Sequence, residues 1–485
     1  MKRAGGAIRR PFSFVRPRLG SCHMKNAILA AAAALALTSP SHAQTAQHQL
    51  DERYNRALAA GYKALFLCSA IANAEANGTT RTPESVHEWE LTGIQAPLNR
   101  IVRDLPYEII RRPTGQIAHV QVRWDEDMPD RLAVFDGKDA GCSVPPVGAP
   151  PGLSNPTAPK PWEREEREDA RIPLGLPPGP PPSLPSLDAA FSDKYGNGRT
   201  TAVVVRVFEN GRVKANYARS APGFSRYTPQ RTWSVAKSIA ATLVGAAVHR
   251  DEIDVNDSAG LGVDESDPRR AITIDHALRM ASGRYSDTPG NRTDPLYWGG
   301  TSVEERAQDW PLIYTPGSVY RYANNDTLAA IKAIEDTFAN HPPADFFAEI
   351  GMTRTVAERD WRGDYVLSSQ VWSTAWDLAA IGQLYLNDGM LWNGTRILPE
   401  GWVEYVSSPS GPQPEGRPFG YGAGWWLMNS SEGVPSDTFA AFGNRGQYVV
   451  VVPSRDVVIV RRGEDMVGTR FDIAAFTRDV LAALE

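Results

Sequence analysis

Trp233-Ser234-Val235-Ala236-Lys237 leads into Ser238-Ile239-Ala240-Ala241-Thr242-Leu243-Val244-Gly245-Ala246-Ala247-Val248, a run that is small and apolar on every side. Such a run reads as a helix enclosed within a domain. Ser234 stands at its N-terminal turn, where the partial positive end of a helix favours a developing anion. Lys237 follows three residues later, hence on the same face and within reach of the hydroxyl. A lysine held in a dry site gives up its charge more readily, so it serves as a base toward serine. Burying it without compensation is costly. The alternative is a lysine whose stem lies along the helix while the ammonium snorkels to water. No other lysine in the chain follows a serine by three positions.

A second element lies downstream in Pro316-Gly317-Ser318-Val319-Tyr320-Arg321-Tyr322-Ala323-Asn324-Asn325. Tyr-x-Asn also occurs at Tyr195 and Tyr385, but Tyr385 shares an amphipathic helix face with Leu378, Ile381 and Leu384, and Tyr195 precedes the serine. Tyr322 alone sits in a loop introduced by Pro-Gly. Its phenol, next to Lys237, is placed to shuttle a proton to a leaving group.

Ser-x-x-Lys followed by Pro-Gly-x-x-Tyr-x-Tyr-Ala-Asn resembles the serine β-lactamase and penicillin-binding-protein superfamily, in its class C and esterase-like branch. Met280-Ala281-Ser282-Gly283, Ser373-Thr374-Ala375-Trp376-Asp377, Asn387-Asp388-Gly389 and Tyr421-Gly422-Ala423-Gly424-Trp425-Trp426 continue the series in the family's order. Gly443-Asn444-Arg445-Gly446-Gln447 is similar to the corresponding stretch of 6-aminohexanoate-dimer hydrolases and family VIII-type esterases. The resemblance spans roughly residues 195–485. It implies an acyl-enzyme on Ser234, with Lys237 and Tyr322 as base and proton shuttle and Asn324 orienting substrate and lysine. The oxyanion would lie between the backbone N–H groups of Ser234 and Gln447. Where β-lactamases carry Lys-Thr-Gly on the edge strand this chain has Asn444-Arg445-Gly446, so a β-lactam carboxylate lacks its lysine unless Arg445 substitutes. Asn444, Arg445 and Gly446, with Tyr297 and Trp298, are candidate pocket residues. The activity expected is cleavage of esters or amides. D-alanyl peptidase or β-lactamase action, and a non-catalytic peptidoglycan- or peptide-binding role, are the alternatives. The substrate is a small-molecule ester or amide or a short peptide, and no cofactor is expected.

Outward from this centre, Thr201–Phe208 and Arg212–Tyr217 flank Asn210-Gly211, the strongest short hairpin signal. A second hairpin is expected at Gln447–Pro453 and Val457–Arg462, and a last helix over Phe471–Leu484. Strands at both ends with helices between them imply an α+β domain over 189–485, an antiparallel sheet flanked by helices; the resemblance implies that its fold is β-lactamase/transpeptidase-like. Residues 145–188 are a Pro-rich linker or, alternatively, a proline-rich ligand for a partner. Residues 44–144 read as a small N-terminal α+β domain, with a helix over Tyr54–Ala74 and strands at Ile117–Val122 and Arg131–Phe135. His276, just after Asp275 as a potential helix cap, reads as a first-turn residue.

Residues 1–43 comprise an upstream extension and a signal peptide. Met24-Lys25-Asn26 precedes an apolar run too short to span a bilayer, and cleavage is expected after Ala43. Leu19-Gly20-Ser21-Cys22 precedes that run, which argues against a lipid anchor. The expectation is a periplasmic or secreted protein with no membrane span after signal removal. Cys68 and Cys142 then remain, as a disulfide in an oxidising compartment or as two buried thiols. The net charge of −5 shows no basic footprint for nucleic acid. Three cysteines without a Cys-x-x-Cys pair, and no His-Glu-x-x-His, exclude the common zinc patterns, so no metal is expected.

Overall fold

Seven strands make the main sheet: β5 (Thr200–Glu209), β6 (Arg212–Ser220), β10 (Gly420–Tyr421), β11 (Trp426–Leu427), β12 (Phe439–Gly443), β13 (Gln447–Val452) and β14 (Val457–Gly463). Their order is β10-β11-β12-β13-β14-β5-β6 and every pairing is antiparallel, so the two ends of the domain meet where β14 pairs with β5. Both expected hairpins are present. The valines of β13 and β14 are buried on both faces: Val449, Val451, Val458 and Val460 face one core, Val450 and Ile459 the other. This computed structural model describes residues 24–150, 152, 182–285 and 293–485, with side chains from residue 44. The readings made for residues 1–23 and for most of the Pro-rich segment fall outside the described residues.

Contacts divide the chain into two compact units, Met1–Tyr54 and Asn55–Glu485. The first is helical from Met24, the start of α1 (Met24–Ala76). In the second, α2 (Pro83–Trp89) precedes a four-stranded antiparallel sheet of β1 (Tyr107–Arg111), β2 (Ile117–Val122), β3 (Arg131–Phe135) and β4 (Cys142–Ser143). The expected boundary near residue 144 does not separate compact units. Phe66, Val120 and Phe135 share one hydrophobic core with Trp233, Trp298 and Trp372. Cys68 and Cys142 form a disulfide. One described helix, Gln44–Ala76, is long and apolar enough to cross a bilayer, but its apolar stretch is wholly buried within the protein, as in a core helix.

The helices that follow are α3 (Pro185–Ala189), α4 (Val235–His249), α5 (Ile274–Leu278), α6 (Asp294–Tyr297), α7 (Asn324–Ala333), α8 (Pro343–Glu349), α9 (Ala375–Leu386), α10 (Trp402–Ser407) and α11 (Ile473–Ala483). α4 and α9 cover one face of the main sheet, with α7 packed on α4, while α11 and α3 close the other. α4 is buried from Val235 to Ala247, as its composition requires. β7 (Gln230–Arg231), β9 (Val371–Ser373) and β8 (Val356–Ala357) form a small sheet that delivers the chain to the start of α4. α5 is capped by Thr273, not Asp275. The Thr273 side chain accepts from His276 N, and His276 reciprocates to the Thr273 amide.

Candidate active site

Ser234 is the N-cap of α4 and is only half-buried, which leaves its hydroxyl accessible. The backbone before it is pinned: Thr232 N donates to Val371 O at 2.8 Å, extending the β7–β9 pairing toward the helix. Trp233 then takes φ +50°, and Lys237 N closes the first turn on Ser234 O at 3.0 Å.

Lys237 is 2% exposed. Its Nζ donates to Ser234 Oγ at 3.1 Å, Asn324 Oδ1 at 2.6 Å and Ser368 O at 2.9 Å. All three acceptors are uncharged, and no carboxylate lies within ion-pair distance among the described residues. Burial therefore disfavours the ammonium and brings its pKa down to about 7. The Nζ lies 5.0 Å from the centre of the Tyr322 ring. Enclosure of the Tyr322 phenol pushes its pKa well above the usual range, opposed in part by hydrogen bonding with Ser234. The phenol is thus neutral, and Lys237 is divided between amine and ammonium near neutral pH.

The loop carrying Tyr322 is held from several sides. Arg321 N donates to Met280 O, and Ser282 Oγ and Arg284 both reach the Asp326 carboxylate on α7. Gly317 takes φ +78°, and a Cβ there would come within 2.8 Å of His276 Nε2. Asn324, the first residue of α7, accepts from Lys237 while its Nδ2 donates to Thr293 Oγ1 at 3.2 Å. Ser234, Lys237, Tyr322 and Asn324 are therefore brought together.

Tyr297 also belongs to this neighbourhood, as support and not as pocket wall. It is buried, and its hydroxyl pairs at 2.7 Å with Ser368 Oγ, the residue whose carbonyl holds Lys237. Trp298, its neighbour, points elsewhere: it is buried in the core against Tyr62 and Trp233.

Three further expectations are corrected. Gln447 lies on β13, opposite Gly443, and its side chain bonds Arg462 Nε and Gly463 O on the β14 side. The strand end beside the Ser234 segment is that of β12, where a Cβ on Gly443 would lie 2.3 Å from Thr232 O. Only a glycine permits this approach. Arg445 is 4% exposed, and its guanidinium is spent on the carbonyls of Trp89, Glu90, Thr92, Glu464 and Asp465 and on the Glu464 carboxylate. It ties the N-terminal region to the turn after β14 and cannot substitute for a carboxylate-binding lysine. Gly446 is buried against Arg461 and Asp465, so of that turn only Asn444 is exposed.

Sequence reasoning missed Ser368 and Thr293, which act through a main-chain carbonyl and one hydroxyl. It also missed the aromatic flank: Trp426 lies 5.5 Å from Tyr322 and stacks on Phe442 at 5.6 Å and 16°, and both are half-buried.

The Beta-lactamase family model matches residues 187–484. Among solved structures, a protein provisionally described as a 6-aminohexanoate-dimer hydrolase from Bacillus anthracis is 21% identical, with TM-score 0.51 over 63% of this chain and 88% of its own. One provisionally described as a β-lactamase from Bacteroides dorei is 18% identical, with TM-score 0.48 over 61% and 95%. A D-stereospecific amidohydrolase from Streptomyces sp. is 16% identical, with TM-score 0.42 over 57% and 93%. No curated protein matches the sequence. The family match covers more than half of the chain and contains Ser234, Lys237, Tyr297, Tyr322, Asn324 and Ser368, so the protein belongs to the Beta-lactamase family of hydrolases.

Proposed function

We propose that the protein cleaves ester or amide bonds through an acyl-enzyme on Ser234. The observation that carries this reading is Lys237: buried, bonded to Ser234 Oγ, and with uncharged acceptors alone to hold it. With its pKa near 7, about half of it is the neutral amine at neutral pH. Lys237 takes the Ser234 proton as Oγ attacks the substrate carbonyl. Tyr322 passes a proton to the departing alcohol or amine, and water then releases the acid from the acyl-serine with the same groups acting in reverse. The oxyanion is met by the Ser234 amide and by the amide of Asn444, where β12 ends, in place of Gln447.

The acyl group accepted is apolar. Trp426 and Phe442 present half-buried aromatic faces beside Tyr322, and with Arg445 engaged elsewhere the turn offers no free cation for a substrate carboxylate. This favours simple esters and amides over β-lactams and D-alanyl peptides. We further propose export. The Met24–Ala43 segment reads as a leader, and the Cys68–Cys142 disulfide suits an oxidising compartment.

The test is a substrate panel of p-nitrophenyl esters from acetate to octanoate, p-nitroanilides and nitrocefin. The expected result is ester turnover that rises with acyl length, with the rise flattened in Trp426→Ala. Nitrocefin turnover matching that of the best ester would overturn the assignment of substrate class.

A further inference from the structure

Trp233 immediately precedes the nucleophile and holds φ +50°, a left-handed conformation that a bulky aromatic residue adopts only when its surroundings impose it. What surrounds it is an aromatic box around one guanidinium. Arg231 is 1% exposed, and among the described residues no carboxylate lies within ion-pair distance of it. Its Cζ lies 4.3 Å from the Trp233 ring centre, 5.1 Å from Phe66, 5.4 Å from Tyr297 and 5.5 Å from Trp298. A guanidinium enclosed by ring faces is attracted by their negative quadrupoles, while the buried carboxylates of Glu358 and Glu464 act on it from beyond ion-pair distance. Its hydrogen bonds go to Ser369 O and Oγ, at 3.3 and 2.9 Å.

The box touches both halves of the catalytic pair. Trp233 is joined directly to Ser234. Ser369 is joined to Ser368, whose carbonyl holds Lys237 and whose hydroxyl meets Tyr297. One wall comes from outside the family domain. Phe66 sits on α1, is fully buried, and its ring centre lies 5.9 Å from that of Trp233. The family match begins at residue 187.

We propose that the N-terminal region is part of the active-site scaffold, with Phe66 as a positioning residue. By closing the box it keeps Trp233 left-handed and so sets Ser234 Oγ against Lys237 Nζ. The proposal rests on the reading of Ser234 as nucleophile. It gives the N-terminal region a catalytic consequence without a residue that touches substrate.

The test uses the full chain and the pre-steady-state burst of p-nitrophenol from p-nitrophenyl butyrate. Circular dichroism verifies folding at the assay temperature. Phe66→Ala opens the box, and the acylation rate constant is expected to fall by about 30-fold or more while the substrate concentration that half-saturates the burst rate stays within about 3-fold, because position and not binding is lost. Phe66→Leu restores most of the packed volume and is expected to recover acylation to within about 5-fold of the parent. Should Phe66→Ala fail to fold, Phe66→Val takes its place, with at least about a 10-fold loss expected. Folded Phe66→Ala acylating within about 3-fold of the parent, or Phe66→Leu no better than Phe66→Ala, would overturn the proposal. A parent protein that turns over no ester and takes up no fluorophosphonate would instead overturn the hydrolase reading, so the two failures are separable.

Discussion

Replacing Asn324 with aspartate changes one group at the most sensitive point of the site, 2.6 Å from Lys237 Nζ. The parent lysine has only uncharged acceptors, so its pKa is near 7 and it is about half neutral at pH 7. A carboxylate in that position attracts the ammonium. At an effective dielectric of about 20, two unit charges 4 Å apart gain about 4 kcal/mol, and each ~1.4 kcal/mol moves a pKa by one. Lys237 in Asn324→Asp therefore titrates near pH 10 instead of near 7, and its neutral fraction at pH 7 falls to about one in a thousand. The sign follows directly: a raised lysine pKa keeps the cation to higher pH, so the base is available only as pH climbs through the new value. Acylation at pH 7 should drop by about 10²–10³-fold and return as pH rises to 10. The assay is kcat/KM for a p-nitrophenyl ester between pH 5.5 and 10, with Ser234→Ala subtracted for hydroxide background. Loss of the Thr293 hydrogen bond alone would lower the rate equally at every pH. A variant whose profile keeps its midpoint near 7 would refute the assignment of neutral Lys237 as base.

Other consequences follow from single contacts. Gly443→Ala places a methyl where Thr232 O now lies, so it should displace the nucleophile segment and lower kcat by about 10²-fold at little cost in KM, read from steady-state kinetics. Reducing the Cys68–Cys142 bond, which spans 74 residues, should remove about 4 kcal/mol of stability in urea unfolding. Glu358 is fully buried and accepts from Cys142 N, Trp372 Nε1 and Asn73 Nδ2, yet desolvation raises its pKa to about 7. Because the folded value lies above the unfolded one, stability from this site is fully present only below the ordinary carboxyl range, about pH 4, and is lost across the interval from there to pH 7. The loss amounts to about 3 kcal/mol in all and levels off above pH 7. Glu358→Gln should flatten that slope in unfolding free energy between pH 4 and 7, and an unchanged slope would show that another group is responsible.

The catalytic cluster was legible because each member lies in a short local pattern: Ser234 and Lys237 on one helical turn, Tyr322 and Asn324 in one Pro-Gly loop. The two hairpins were legible through Asn210-Gly211 and the unbroken β-branched runs Val449–Val452 and Val457–Val460. The errors came where a side chain's role is set by distant chain. Gln447 was misread because β12, only five residues long and rich in alanine, gave no strand signal of its own. Arg445 was misread because its acceptors at Trp89, Glu90 and Thr92 lie some 350 positions away. Tyr297 and Trp298 share one aromatic core, but only the Tyr297 hydroxyl reaches Ser368, which a pattern of aromatic residues does not show. The N-terminal region was read as a separate domain because its own helix and strands are self-consistent. Its core runs on into Trp233 and Trp372, contacts that no local pattern announces.

The central claim is that Ser234 is acylated, and the most direct measurement is mass spectrometry of the protein after reaction with a fluorophosphonate. One adduct is expected, on the peptide containing Ser234, formed by the parent and absent from Ser234→Ala. Equal modification of both proteins, or an adduct on another serine, would contradict it.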